Sequence, residues 1–116
     1  MIIEEDYCSF EVAKLLKEKG FNEPVTGLNK LLFKEGEKPI LKITHQKAMR
    51  WLREVHKVLI VIDAYHANHW EGYIDSFEIS IYSHASTIIV PNEIAYHTNY
   101  EEAVEAALKY SLENLI

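Results

Sequence analysis

Residues 44–65 read THQKAMRWLREVHKVLIVIDAY, and this stretch decides the fold class. Its first part, from Thr44 to about His56, places apolar residues at helical spacing behind a threonine, a favoured N-cap. Its second part, Val58–Tyr65, is rich in β-branched residues and apolar on both faces, which predicts a strand in the centre of a sheet. A helix that leads directly into such a strand predicts helices packed on a sheet.

Two further helices are predicted from their capping residues. The first runs from about Ser9 to Lys19 and stops at Gly20, after which Phe21 is expected to fold back onto the helix. The last one begins near Asn99, where Glu101 and Glu102 form an acidic first turn.

Strands are predicted at 30–34, 40–43, 73–83 and 87–90, in addition to 58–65. The first two flank a hairpin tip at 35–39, and Pro91 ends the last one, as in an edge strand. The predicted order is α-β-β-α-β-β-β-α. We therefore expect a single α+β domain over residues 1–116, with helices covering a mostly antiparallel sheet.

Charge is unevenly distributed along the chain. Residues 1–57 hold eleven Lys or Arg and nine Asp or Glu, whereas residues 58–116 hold only Lys109 against nine carboxylates. The net charge of −6 argues against a duplex nucleic acid as partner. A lone cysteine, Cys8, suits a reducing cytoplasm, and no apolar run approaches the roughly 20 residues of a membrane span. The expected setting is cytoplasmic, away from membranes.

Histidines and carboxylates in the second half are candidate metal ligands, chiefly Asp63, His66, His69 and His84. Such a site requires three of them to converge. The alternative is that they are solvated residues in turns, because no HExxH or CxxC pattern supports them. The sequence predicts no cofactor: it contains no glycine-rich phosphate-binding loop and no GxSxG nucleophile motif.

Cys8 precedes a predicted helix N-terminus, where a thiol can become a nucleophile. The neighbouring carboxylates Glu4, Glu5 and Asp6 oppose that activation, and a small buried residue is the alternative.

A basic stripe on the second predicted helix is the candidate interaction surface. Arg50, Arg53 and Lys57 are spaced to lie on one side, where they could bind phosphate or an acidic partner. The alternative is an ordinary solvated face, partly neutralised by an Arg50–Glu54 pair. Trp70 belongs to a group of aromatic residues that lack basic neighbours. Core packing or a protein interface therefore explains them better than base stacking does.

Three stretches carry a resemblance to a known group. Residues 43–56 contain THQ, a following alanine, WLRE and a histidine, and this core resembles that of small proteins of gut Bacteroides, their phages and mobile elements. The opening CSFEVAKLLKEKGF of residues 8–21 and the ending from Tyr100 to Ile116 are similar to segments of the same group. The resemblance implies a bacterial or phage cytoplasmic setting. It implies no activity, cofactor or site residue.

These observations favour a non-enzymatic binding or adaptor protein that acts through a protein partner or as a homo-oligomer. The first alternative is a small metal-dependent enzyme that uses the region of Asp63, His66 and His69. The second is an acidic decoy, in which carboxylates of the second half imitate phosphate for a nucleic-acid-binding protein.

Overall fold

The computed structural model describes residues 7–22, 31–65, 76–84 and 86–116. Four helices occur in these ranges: α1 Phe10–Glu18, α2 His45–His56, α3 Asn92–Ala95 and α4 Tyr100–Asn114. The three longer ones begin where their capping residues predicted. The side chains of Ser9, Thr44 and Asn99 each accept a hydrogen bond from the backbone N–H three residues further on. These bonds satisfy N–H groups that have no partner inside the helix.

The end of α1 is a Schellman motif. Gly20 adopts a φ of 101°, and its N–H donates to the carbonyl of Lys17 at 3.1 Å. The N–H of Phe21 donates to the carbonyl of Leu16 at 2.9 Å, and the Phe21 ring is buried in the core. The predicted fold-back of Phe21 is thus confirmed. The chain can turn at Gly20 because glycine adopts the left-handed conformation without a steric penalty.

The described part of the chain contains six strands in two separate sheets: β1 Leu31–Leu32, β2 Ile40–Leu41, β3 Val58–Tyr65, β4 Ser76–Ser83, β5 Ser86–Ile88 and β6 Tyr96–His97. The predicted hairpin is confirmed, since β1 and β2 pair antiparallel, but they stay apart from the main sheet. In the main sheet β3 and β4 pair antiparallel over their full length. The other side of β4 pairs with β5 near one end and with β6 near the other.

The structure corrects two predictions about order and position. A short helix, α3, and a two-residue strand, β6, lie between β5 and α4, where the predicted order contains no element. Within the described ranges β3 is also an edge strand of the sheet rather than a central one. Its apolar residues on both faces had suggested burial on both sides, yet Leu59 remains 40% exposed.

One hydrophobic core joins the helices to the inner face of the main sheet. Val58, Ile79 and Ile81 are buried on that face. The C-terminal helix α4 packs on β3 and β4, and it also contacts α1 and α2. Its alanines Ala103 and Ala107 are fully buried, which allows this close approach.

The α+β class with antiparallel sheets is confirmed. The position of α4 also brings one of its carboxylates to the N-terminal ends of α1 and α2.

Candidate functional site

The segment before α1 is held against the start of α2 by backbone contacts. Tyr7 forms an isolated antiparallel bridge with Thr44, and the N–H of Cys8 donates to the carbonyl of Ile43 at 2.8 Å. Cys8 therefore lies beside His45, the first residue of α2. The chain is fixed here because Ser9 caps α1 and Thr44 caps α2.

Glu105 of α4 connects these two helix ends. Its Oε1 accepts a hydrogen bond from the backbone N–H of Ser9 at 2.7 Å and lies 2.9 Å from Nε2 of His45. His45 is buried, whereas the Glu105 side chain is 26% exposed. A carboxylate at a helix N-terminus is favoured by the helix dipole and by the N–H groups that lack partners inside the helix.

The surroundings lower the pKa of Glu105. Burial alone would raise it, but hydrogen bonds from His45 and Ser9, together with the charge of His45, outweigh that effect. Glu105 is accordingly ionised at neutral pH. The Nδ1 atom of His45 is buried and has no hydrogen-bond partner among the described residues.

Cys8 lies beside His45 and Glu105. Its side chain is 1% exposed, and Sγ lies 4.0 Å from the carbonyl oxygen of Thr44. Burial raises the pKa of the Cys8 thiol strongly, and the negative charge of Glu105 raises it further. The thiol is thus protonated, which is the opposite of the state that a nucleophile requires.

A sulfur, a ring nitrogen and a carboxylate oxygen therefore meet in one place. One ligand atom from each of Cys8, His45 and Glu105 lies within 4.8 Å of the other two. We call these three residues the thiol–imidazole–carboxylate cluster. This cluster was not predicted from the sequence, because Cys8, His45 and Glu105 lie far apart along the chain and form no short motif.

A cavity opens beside the cluster. It has a volume of about 400 Å³ and is lined by Tyr7, Ser9, His45, Glu101, Glu102 and Glu105. Glu101 and Glu102 are exposed at the start of α4, so the cavity carries negative charge. It gives solvent access to His45 and Glu105, whereas Cys8 is not among its lining residues.

Two of the predicted metal ligands of the second half, Asp63 and His84, fall within the described residues and lie apart. Asp63 on β3 pairs across the sheet with Glu78, and His84 follows the opposite end of the hairpin, where Val58 pairs with Ser83. At about 3.3 Å per residue the two ends are roughly 17 Å apart, too far for one ion. His66 and His69 lie outside the described residues, and so does Trp70.

The predicted basic stripe lies on the exposed side of α2. Arg53 pairs with Glu54 at 3.4 Å, and Lys57 donates from Nζ to the carbonyl of Glu54 at 3.1 Å. Arg50 is exposed. Part of this charge is consequently compensated within α2 itself.

The outer face of the main sheet is the face that its described strands turn away from the core. Residues opposite each other on paired strands share a face. Three such pairs point away from the core: Leu59 with Tyr82, Val61 with Ser80, and Asp63 with Glu78. Tyr96 joins them from β6, opposite Glu78. Leu59 and Tyr96 are 40% and 44% exposed, and Asp63 is exposed too. We call these seven residues the open sheet face.

Comparison of the chain with protein-family models, with curated proteins and with solved structures gives no significant match in any of the three. Across the described ranges, none of the helices combines the length and the apolar character that crossing a lipid bilayer requires.

Proposed function

We propose that this protein is a non-enzymatic binding protein that acts through protein–protein contacts on the open sheet face. One observation carries the proposal: β3, an edge strand within the described ranges, exposes the apolar side chain of Leu59 on the outer face of the sheet. Leu59 is 40% exposed, and Val61 and Tyr82 beside it are half-buried. Apolar side chains grouped on one exposed face are typical of interaction sites.

The edge of β3 supports the same proposal. This strand pairs with β4 along one side over all eight of its residues. Within the described ranges no strand pairs with its other side. Such an edge presents N–H and C=O groups to which an extended segment of another protein can add as a further strand.

Charge indicates the chemistry of that partner. Asp63 and Glu78 lie on the open sheet face, and residues 58–108 contain no Lys or Arg. A complementary partner strand would alternate apolar residues with Lys or Arg, so that its apolar side chains meet Leu59 and its cations meet the two carboxylates.

The proposed setting is the cytoplasm of a bacterium, in which the protein serves the host, a phage or a mobile element. The resemblance of three sequence stretches to the Bacteroides and phage group supports this setting. The free thiol of Cys8 is consistent with a reducing compartment.

The test uses three affinity columns that carry the wild-type protein, Leu59→Lys and Val55→Lys. Val55 is a matched control, since it is apolar and 56% exposed but lies on α2. Each column is loaded with extract of a Bacteroides host. We expect a bound protein on the wild-type and Val55→Lys columns and its loss on the Leu59→Lys column, because the introduced lysine disrupts an apolar contact and repels a basic partner.

Equal capture on all three columns would contradict the proposal, and so would the absence of any captured protein. If light scattering detects a dimer that Leu59→Lys alone dissociates, the partner is a second copy bound through the same face. A partner that dissociates at moderate salt, and that binds Leu59→Lys as well as it binds the wild type, would favour the acidic decoy instead.

A further inference from the structure

We propose that the thiol–imidazole–carboxylate cluster binds a divalent transition metal ion, with Zn²⁺ as the preferred occupant. This site is independent of the open sheet face and goes beyond the proposed binding function. It also differs from the metal ligands that the sequence predicted, since it uses Cys8, His45 and Glu105.

The donor set matches the ion. Zn²⁺ binds thiolate, imidazole and carboxylate at about 2.3, 2.0 and 2.1 Å in tetrahedral sites. Tetrahedral angles then separate the ligand atoms by roughly 3.3 to 3.6 Å. In the protein, Nε2 of His45 lies 2.9 Å from Oε1 of Glu105, and one ligand atom of each residue lies within 4.8 Å of the others. Small side-chain movements therefore suffice to enclose an ion.

The cluster is held in place before any ion binds. Cys8 is fixed by the backbone hydrogen bond from its N–H to Ile43, His45 by the capped start of α2, and Glu105 by the N–H of Ser9. Holding donors on three different elements lowers the entropic cost of bringing them together.

A purely structural role leaves one feature unexplained. The imidazole of His45 is 95% buried, yet only Nε2 has a hydrogen-bond partner among the described residues, while Nδ1 has none. Buried polar atoms normally have partners. An ion bound at Nδ1 would supply the partner that this atom lacks, while Nε2 keeps its hydrogen bond with Oε1 of Glu105.

Proton balance follows from this arrangement. The thiol S–H bond of Cys8 breaks as the metal–sulfur bond forms, and the thiol proton leaves to solvent. The thiolate and the Glu105 carboxylate together neutralise the two charges of the ion, which offsets the cost of burying it.

The cavity provides an entry path and a fourth ligand. His45 and Glu105 line it, and the exposed carboxylates of Glu101 and Glu102 lie at its edge. Negative charge at an entrance raises the local concentration of cations. Water in the cavity would occupy the fourth position, as in zinc sites with three protein ligands.

Cobalt(II) titration of tag-free protein tests this inference, since thiolate–cobalt bonds give a charge-transfer absorption and tetrahedral sites give intense visible bands. We expect one Co²⁺ per chain and its displacement by Zn²⁺. Cys8→Ser should abolish the charge-transfer absorption. Because even the loss of a supporting group costs 10- to 100-fold, Cys8→Ser and Glu105→Gln should weaken binding by roughly 100-fold or more.

Two control variants accompany these changes. Glu113→Gln alters an exposed carboxylate of α4 outside the cavity, and His84→Gln removes an exposed histidine elsewhere. Both should bind as the wild type does. Circular dichroism establishes that each variant is folded, and if Glu105→Gln is not, Cys8→Ser decides alone. A wild-type protein without the charge-transfer absorption, or a folded Cys8→Ser that binds as tightly, would overturn the proposal.

Discussion

Glu105 and His45 lie 60 positions apart in the sequence, yet Oε1 of Glu105 is 2.9 Å from Nε2 of His45. The same oxygen accepts a hydrogen bond from the N–H of Ser9 at 2.7 Å. One carboxylate of α4 thereby connects the N-terminal ends of α1 and α2. This contact also joins the acidic second half of the chain to the more basic first half, so the two charge regions are not fully separated in space.

Replacement of Glu105 by glutamine should destabilise the fold by about 1–3 kcal/mol, because a charge-assisted hydrogen bond to a buried imidazole is lost. Urea denaturation of metal-free protein at neutral pH measures this change. Glu113→Gln is the matched control, since Glu113 lies on α4 but is exposed near its C-terminal end. Its free energy of unfolding should stay within about 0.5 kcal/mol of the wild type.

The contribution of Glu105 to stability should disappear in acid. Its pKa is lower in the folded state than the ordinary value of 4.5, so the unfolded chain binds the proton more readily. The stabilisation is therefore complete above about pH 4.5 and is lost as pH falls through the folded pKa. The stability difference between wild type and Glu105→Gln, measured in urea with a chelator, should shrink on acidification. A difference that grows instead would contradict this assignment.

Cys8 should react slowly with thiol reagents while the protein is folded. Its thiol is buried and its pKa is raised, so both access and thiolate content are low. Gln46→Cys in a Cys8→Ser background is the matched control, because Gln46 is exposed in the first turn of α2. The rate of modification should be at least roughly 100-fold slower for Cys8 than for this control, and urea should abolish the difference. Equal rates in the folded proteins would show that Cys8 is accessible.

Replacement of Gly20 by alanine should cost about 1–2 kcal/mol. A Cβ atom at this position would meet nothing within 4 Å, so the cost arises from the φ of 101° alone. Gly20→Asn should cost less, since asparagine adopts the left-handed region more readily. Thermal denaturation of both variants measures the order, and a smaller effect for alanine would contradict the Schellman assignment.

The long helices could be predicted because their capping and terminating residues lie within a few positions of each helix end. Ser9, Thr44 and Asn99 each cap the helix that their neighbours predict, and Gly20 ends α1 where expected. The region around Pro91 carries no comparable signal. The helix α3 has only four residues and no side-chain cap, so it lacks the periodicity from which helices are recognised.

Strand neighbours and the site depend on contacts distant in sequence. The apolar pattern of Val58–Tyr65 is the same in a central strand as in an edge strand that exposes one apolar face. Only the pairing of β5 and β6 with the far side of β4 leaves β3 at the edge. The cluster likewise exists only because α4 packs against both α1 and α2. Each of its residues alone fits an ordinary helix start or helix face.

X-ray absorption spectroscopy of zinc-loaded protein tests the metal site most directly. We predict one sulfur neighbour at about 2.3 Å together with nitrogen and oxygen neighbours near 2.0–2.2 Å. In Cys8→Ser the sulfur contribution should vanish. A wild-type spectrum with only nitrogen and oxygen around zinc, or a sulfur contribution that persists in folded Cys8→Ser, would contradict the assignment of Cys8, His45 and Glu105 as ligands.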